Sequence, residues 1–466
     1  MIRIRLAKIA CVVALFYAMN VSVAAQTFTT ISNLHEADYY LQGLIQANDG
    51  VLLGVDQGHP ESIIEMGLKG GEAEVYNFCL QNTCADGNFP VGIFQAADGT
   101  IYGTTELGGV NGKGVLYEYT LDGKLMVLYS FCSQSNCTDG WNPFSGPSPT
   151  VQGGVIGTTF GGGLNDNKGI LYEWTPAGQF TVLYSFCAQA HCVDGEGPVS
   201  SPFQTADGTI YGTTNAGGAH GSGTVYSFTP AGGLVTIYNF PKGESSAEPT
   251  LIQGADGNFY GTTRFQGKQG AGSVFRLTPQ GKFTTLYSFC PNTGCADGGG
   301  PTRLLQGGDG NFYGITIGGG DNDAGTIFRI TPSGILTTLY SFCAQTPCLD
   351  GENPLSLMQD TNGTLYGTTE GGGAHGHGTA FSLSTGVGPF VQSNPPWAQV
   401  GAVIGILGTH LTGTTSITFN GTAATFKLVS DSYIEAEVPT GATSGIIQVA
   451  TPGGTLNSNF SFQLLP

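Results

Sequence analysis

Five times the chain sets two cysteines in the pattern C-x4-C, with aspartate-glycine just beyond the second cysteine and a proline four residues after the aspartate. Residues 183–198, LYSFCAQAHCVDGEGP, are one copy. Paired sulfurs of this kind support three chemistries: thiolate ligation of a metal, reversible dithiol redox, or a disulfide. Five pairs cannot all be grouped into four-cysteine zinc sites. Two equivalent corners, NFPKGESSAEP from Asn239 and NLHEADYY from Asn33, lack both cysteines together. Loss in pairs is expected when both partners lie in one loop. The reading adopted is therefore local disulfides, Cys79–Cys84, Cys132–Cys137, Cys187–Cys192, Cys290–Cys295 and Cys343–Cys348, with a metal or redox role as the alternative. Closing so short a loop stabilises by roughly 2 kcal/mol in the chain-entropy account.

Other chemistry-bearing residues recur with the same rhythm. Asp86, Asp139, Asp194, Asp297 and Asp350 each precede a glycine. They read as a carboxylate ring for cations or sugar hydroxyls, or as turn residues that bind their own backbone, and the second is favoured because they recur with the loop. His220, His375 and His377 lie in glycine-rich loops of two separate units. NDN at 165–167 and DND at 321–323 make Asp166, Asp321 and Asp323 weak calcium candidates without a complete ligand loop. Seven glutamines, Gln46, Gln95, Gln152, Gln204, Gln253, Gln306 and Gln359, sit at one place in the repeat. They could line a channel and bind a ligand, or satisfy buried backbone groups between units. No G-x-S-x-G, H-E-x-x-H or phosphate loop is present, and no organic cofactor is expected.

The frame that holds these residues follows from composition. With 76 glycines among 466 residues, 11% aromatics and only 10% charged side chains, the chain suits short strands and tight turns. Residues 1–25 read as a secretory signal peptide: three positive charges, an apolar run and a small-residue cut after Ala25. Past that cut 12 basic face 33 acidic side chains, a net charge of 12 − 33 = −21. Such a surface disfavours nucleic acid and anionic membranes, and no later stretch is apolar enough for an integral membrane segment. The expected address is extracellular, cell-surface or periplasmic.

A word built on tyrosine recurs every 45 to 55 residues or so, a period that suits a propeller blade. The unit at 250–289 shows two runs joined by Asp256-Gly257, a third run after a glycine-rich loop, and a fourth after a proline-x-glycine turn. Aspartate-glycine between strands suggests a hairpin whose central positions both need φ > 0. The last unit stops after its third strand, and the stretch TFTTISNL at the start is an orphan fourth strand. The fold expected is all-β: a seven-bladed propeller over 26–386, closed by the N-terminal strand, with an open solenoid as the alternative. The first unit and the third unit's hairpin, VQGGVIGTT, are expected to be irregular.

The words DGNFYGTT, GTIFRITPSG and LTTLYSFC resemble the GloVer (Gloeo/Verruco) tandem repeat of exported bacterial proteins, over about residues 29–386. The resemblance implies fold and compartment but no activity. After a linker at 387–396, the words GTHLTGTTSITFNGTAATF and VPTGATSGIIQVATPGG resemble an IPT/TIG domain, which implies an immunoglobulin-like β-sandwich over 397–466. Such modules are spacers or interaction domains. The function expected is that of an exported, non-catalytic binding or surface-interaction protein for an extracellular glycan or protein, acting through the loop-rich face. A polysaccharide hydrolase or lyase on the same scaffold and a structural envelope protein are the alternatives.

Overall fold

Local turn chemistry sets the strands. In the fifth repeat unit, strands Ile252–Gln253, Phe259–Thr263, Ser273–Leu277 and Phe283–Ser288 pair antiparallel in that order. Residues 254–258 separate Gln253 from its partner Phe259, and within them only Gly257 takes a positive φ, 78°. The Asp256 carboxylate accepts from the Asn258 N–H and the Tyr260 hydroxyl. The turn is therefore longer than the two-residue hairpin suggested by Asp-Gly, and glycine alone enters the left-handed region.

The computed structural model describes residues 26–34, 40–58, 60–81, 83–242, 251–265, 267, 269–292 and 294–466. Residues 1–25, expected as the signal peptide, lie outside them, as do 35–39 and 243–250, most of both cysteine-free corners. The described chain is all-β and propeller-like, with seven four-stranded antiparallel sheets from Thr27 to Ser384. Six use consecutive strands. The seventh joins Glu352–Gln359, Leu365–Gly371 and Thr379–Ser384 to Thr27–Asn33 from the other end of the repeat region. Phe28 faces Leu383 in that pairing, and Asn33 faces Thr379. The first unit, Leu41–Gln46 through Glu72–Asn77, forms a four-stranded sheet like the others.

The glycine of the repeated Tyr-Gly-Thr-Thr word has a packing cause. Gly261 pairs with Phe275, and a Cβ there would stand 2.6 Å from the Phe275 ring. Gly212 lies under Tyr226 in the same way. These rings in turn receive a phenylalanine from the preceding sheet. Phe186 meets Tyr226 edge-on at 5.2 Å. Phe78–Tyr117, Phe131–Tyr172, Phe240–Phe275, Phe289–Phe328 and Phe342–Phe381 repeat the contact at 5.1 to 6.0 Å. At the remaining junction the buried aliphatics Leu34 and Ile64 hold the equivalent positions. Edge-on pairs add about 0.5–1.5 kcal/mol each beyond the area they bury.

Beyond the repeats, two further four-stranded sheets enclose a core that includes Ile404, Ile417, Phe419, Ile434, Ile447 and Val449. The stretch 387–396, expected as a linker, contributes the strand Gln392–Asn394, which pairs with Val403–Leu407. This C-terminal unit rests on the hairpin turns of the first two sheets. Ser432 Oγ donates to the Asn48 carbonyl at 3.0 Å, the Tyr433 hydroxyl to the Ala97 carbonyl at 2.5 Å, and Asn394 Nδ2 to the Gln95 carbonyl at 2.8 Å.

Beside that junction, Asp360 is 1% exposed. One carboxylate oxygen accepts from the Asn362 N–H at 2.8 Å, and the other has no partner. Burial pushes its pKa to about 6, against the smaller opposing effect of that hydrogen bond. A folded pKa above the unfolded one means that the associated stability is full below about pH 4 and is lost as pH rises through about 6. Asp360→Asn should therefore gain on the wild type by on the order of 2 kcal/mol between pH 4 and pH 7.5 in denaturant titrations. A difference that does not change with pH would contradict this.

Candidate functional site

The five C-x4-C pairs are disulfides, each closing within its own corner. All ten cysteines have φ between 41° and 67°. Left-handed backbone costs a non-glycine residue about 1–2 kcal/mol, so something must hold these corners. The repeated aspartate contributes. Asp194 accepts from the Tyr184 hydroxyl at 2.7 Å and from the N–H groups of Ala188 and Gln189 at 2.8 and 3.2 Å. Asp139 and Asp350 bond the same way to Tyr129 and Tyr340, while Asp86 and Asp297 bond Tyr76 and Tyr287 and the N–H of the first cysteine. Burial, then the aspartate bond, raises the Tyr287 hydroxyl to about 12. Asp139, Asp194 and Asp350 are fully buried. The carboxylate-ring reading is corrected by this geometry: the oxygens are occupied in folding the corner, not presented at the face.

The remaining loop candidates stay on the surface. His220 and His375 are exposed and His377 is half-buried. Asp166, Asp321 and Asp323 are exposed, and Asp323 Oδ1 accepts from the Gly319 N–H at 3.0 Å. Among the described residues the one group of three close potential metal ligands is Cys187, Cys192 and Glu196. Its sulfurs are bonded to each other, so they are not thiolate ligands. None of the histidines and none of the three calcium candidates belongs to such a group.

The glutamines tie neighbouring sheets together. Gln95 Oε1 accepts from the Asn48 N–H in the preceding sheet's hairpin at 2.8 Å, and its Nε2 donates to the Gly99 carbonyl of its own hairpin at 3.0 Å. Gln204, Gln306 and Gln359 do the same with Val151, Ala255 and Gly308. Gln46 joins the first sheet to the seventh by accepting from the Thr361 N–H at 3.0 Å. Gln253 donates to Gly257 at 3.3 Å. Gln152 departs from the series and is corrected: it is exposed in the turn, because Pro149 takes the register position by pairing with Val155. The third hairpin thus keeps the length of the others and loses only its glutamine.

Inner strands of all seven sheets wall one cavity of 1740 Å³, bordered by Gln46, Gln95, Gln204, Gln253 and Gln359. Trp397, Leu407 and Phe460 of the C-terminal sandwich line its hairpin-turn end. At the loop end stands a position the sequence reading missed. The residue after the Thr-Thr step, which is Val55-Asp56 in the first sheet and Ile315-Thr316 in the sixth, is Gln57, Glu106, Phe160, Asn215, Arg264, Ile317 and Glu370 in successive sheets. Five of these, Phe160, Asn215, Arg264, Ile317 and Glu370, line the cavity. The signal was available: a position that takes six residue types in seven units, beside neighbours that change less, marks a surface freed from packing.

The corner geometry generates a stability prediction. Asp194→Ala leaves a phenol and two N–H groups unsatisfied and should cost about 2–4 kcal/mol, whereas Asp321→Ala, at an exposed position, should stay within about 0.5 kcal/mol of wild type. Equal unfolding midpoints for the two variants would refute the structural role given to Asp194.

Two solved structures share the fold. Both are of the extracellular domain of BT4673 from B. thetaiotaomicron, designated in one case a one-component and in the other a hybrid two-component system. Each is 12% identical with a TM-score of 0.53; 92% and 93% of this chain is covered, against 46% and 55% of those chains. This chain thus spans about half the length of each. No curated protein matches it. The IPT/TIG domain family is matched at 389–464. The Gloeobacter/Verrucomicrobia repeat is matched at 40–244, 133–296 and 250–394; the chain belongs to that repeat family and carries an IPT/TIG domain behind it.

Proposed function

We propose that this chain is an exported, non-catalytic binding protein. In this reading the seven sheets are the blades of a closed propeller over 26–386, and the N-terminal strand fastens the last blade. The sandwich at 397–466 stops one end of the central channel, so a ligand enters from the loop-rich face. The observation that carries the reading is the cavity itself, walled by a constant scaffold and rimmed by a position that carries a different residue in each of the five sheets where it lines the cavity. Concave sites with a few polar groups on a rigid frame are where small ligands bind. Export is supported by the five disulfides and by likeness in fold to extracellular domains.

Hydrolysis of a polysaccharide is less well supported. It needs two carboxyl groups within about 5–10 Å of each other. Among the described lining residues the carboxylates are Glu370, at the loop end, and Asp207, in the hairpin turn of the fourth sheet. An inner strand, about 3.3 Å per residue, lies between those levels. Asp207 is also held by the Thr205 hydroxyl and the Thr209 N–H.

The test is a panel of immobilised glycans and peptides, scored for retention of the protein and for released fragments. The expected result is retention without cleavage, weakened about tenfold or more by Ser201→Trp, which places a large ring on an exposed position of the cavity wall. Released fragments would sink the non-catalytic reading, and retention indifferent to Ser201→Trp would move binding out of the channel.

A further inference from the structure

One residue breaks the small-residue pattern of the inner strands. Arg303 pairs with Ile315, and the equivalent pairs are Gly92 with Thr104 and Ser356 with Thr368. Counting three residues back from the clasping position gives Gly43, Gly146 and Ser201 in three other sheets. The glycines belong to the first three sheets, none of which neighbours the sixth. A Cβ on Gly92 would stand 2.9 Å from the Gly146 nitrogen, so these strands meet backbone to backbone, with no side chain at the position that Arg303 holds in its own sheet.

The charge around it is equally unusual. Residues 26–466 hold four arginines, and two of them, Arg264 and Arg303, line this cavity on neighbouring sheets. Arg303 makes no hydrogen bond or ion pair with the described residues, and desolvation by the surrounding protein pulls its pKa below the usual arginine value. Glu370 sits at the loop end, where it accepts from the Tyr40 hydroxyl, and Asp207 lies at the turn end. Arg303 is partly buried on the cavity wall, and a partly desolvated cation with no protein partner gains from a counter-charge. A planar guanidinium is also the side chain best matched to an oxyanion, which it binds through two parallel charge-assisted hydrogen bonds.

We propose that the channel binds its ligand through an oxyanion, a carboxylate, sulfate or phosphate group, held by Arg303; this rests on the cavity being the binding site. Neutral ligands of the same shape lack that anchor. The acidic exterior would repel such a ligand at long range, so binding should strengthen with moderate salt before direct screening weakens it.

Equilibrium dialysis of the full exported chain against trigalacturonate, neutral galactotriose and inorganic sulfate tests the assignment. The variants are Arg303→Ser, which installs the residue present at Ser201 and Ser356, Arg303→Lys and Ser201→Trp. The expected result is that trigalacturonate binds at least tenfold more tightly than galactotriose and competes with sulfate. Arg303→Ser should lose that preference at an unchanged melting temperature, and Arg303→Lys should keep part of it. Anion binding blocked by Ser201→Trp but untouched by Arg303→Ser would overturn the arginine assignment and leave the channel as the site. Binding indifferent to both variants would remove both. Equal affinity for the neutral trimer, or no binding of either anion, would also overturn it.

Discussion

A four-stranded sheet of five-residue strands cannot bury both faces by itself, so the contact between one sheet and the next decides whether this chain folds. That contact is an outer-strand phenylalanine driven edge-on against the third-strand ring of the following sheet, as Phe186 is against Tyr226. The ring needs a glycine beneath it, which accounts for Gly212 and its counterparts. The outer-strand phenylalanine lies two residues beyond the tyrosine that anchors the corner aspartate, so wedge and corner are set by one short word. Nearer the axis, glutamine amides fasten five of the seven inner strands to the preceding hairpin.

This division of labour explains which residues repeat and which do not. Cysteines, corner aspartates, clasping glutamines and the glycines under the rings recur because every junction poses the same packing problem. Chemistry that could recognise one ligand must lie elsewhere, at positions relieved of that problem. Those positions are the rim after the Thr-Thr step and the inner-strand site of Arg303. The C-terminal sandwich adds an asymmetry that the repeats cannot supply, because Trp397 and Phe460 line one end of the cavity.

Much of the frame was legible in the sequence. The strand words, the orphan strand at Thr27–Asn33 and the cysteine pairs all depend on local spacing, which one dimension preserves. The role of Asp194 was only half legible. Its tie to its own corner is local, but the partner Tyr184 comes from the preceding strand, and a constant ten-residue separation was the available clue. Gln152 misled because composition placed a glutamine near the right point while strand register placed Pro149 there. The Asp256 turn misled in a milder way, since its dipeptide suits a tighter hairpin than the one formed. Nothing local could have announced the sandwich on the hairpin side, because Tyr433 and Ala97 meet across more than three hundred residues of chain.

The amide clasps at five of the seven sheet junctions, the one between the last sheet and the first among them, act on backbone groups that lie in turns. The N–H groups of Asn48, Val151, Ala255, Gly308 and Thr361 are the ones that glutamines accept from. Residue-resolved amide hydrogen exchange on the native protein reads them directly. These turn amides should exchange as slowly as those in the central strands, and all five should slow together. Exchange at the rate of free surface turns, or protection at some of these junctions with none at Thr361, would contradict the joining of the last sheet to the first by these clasps.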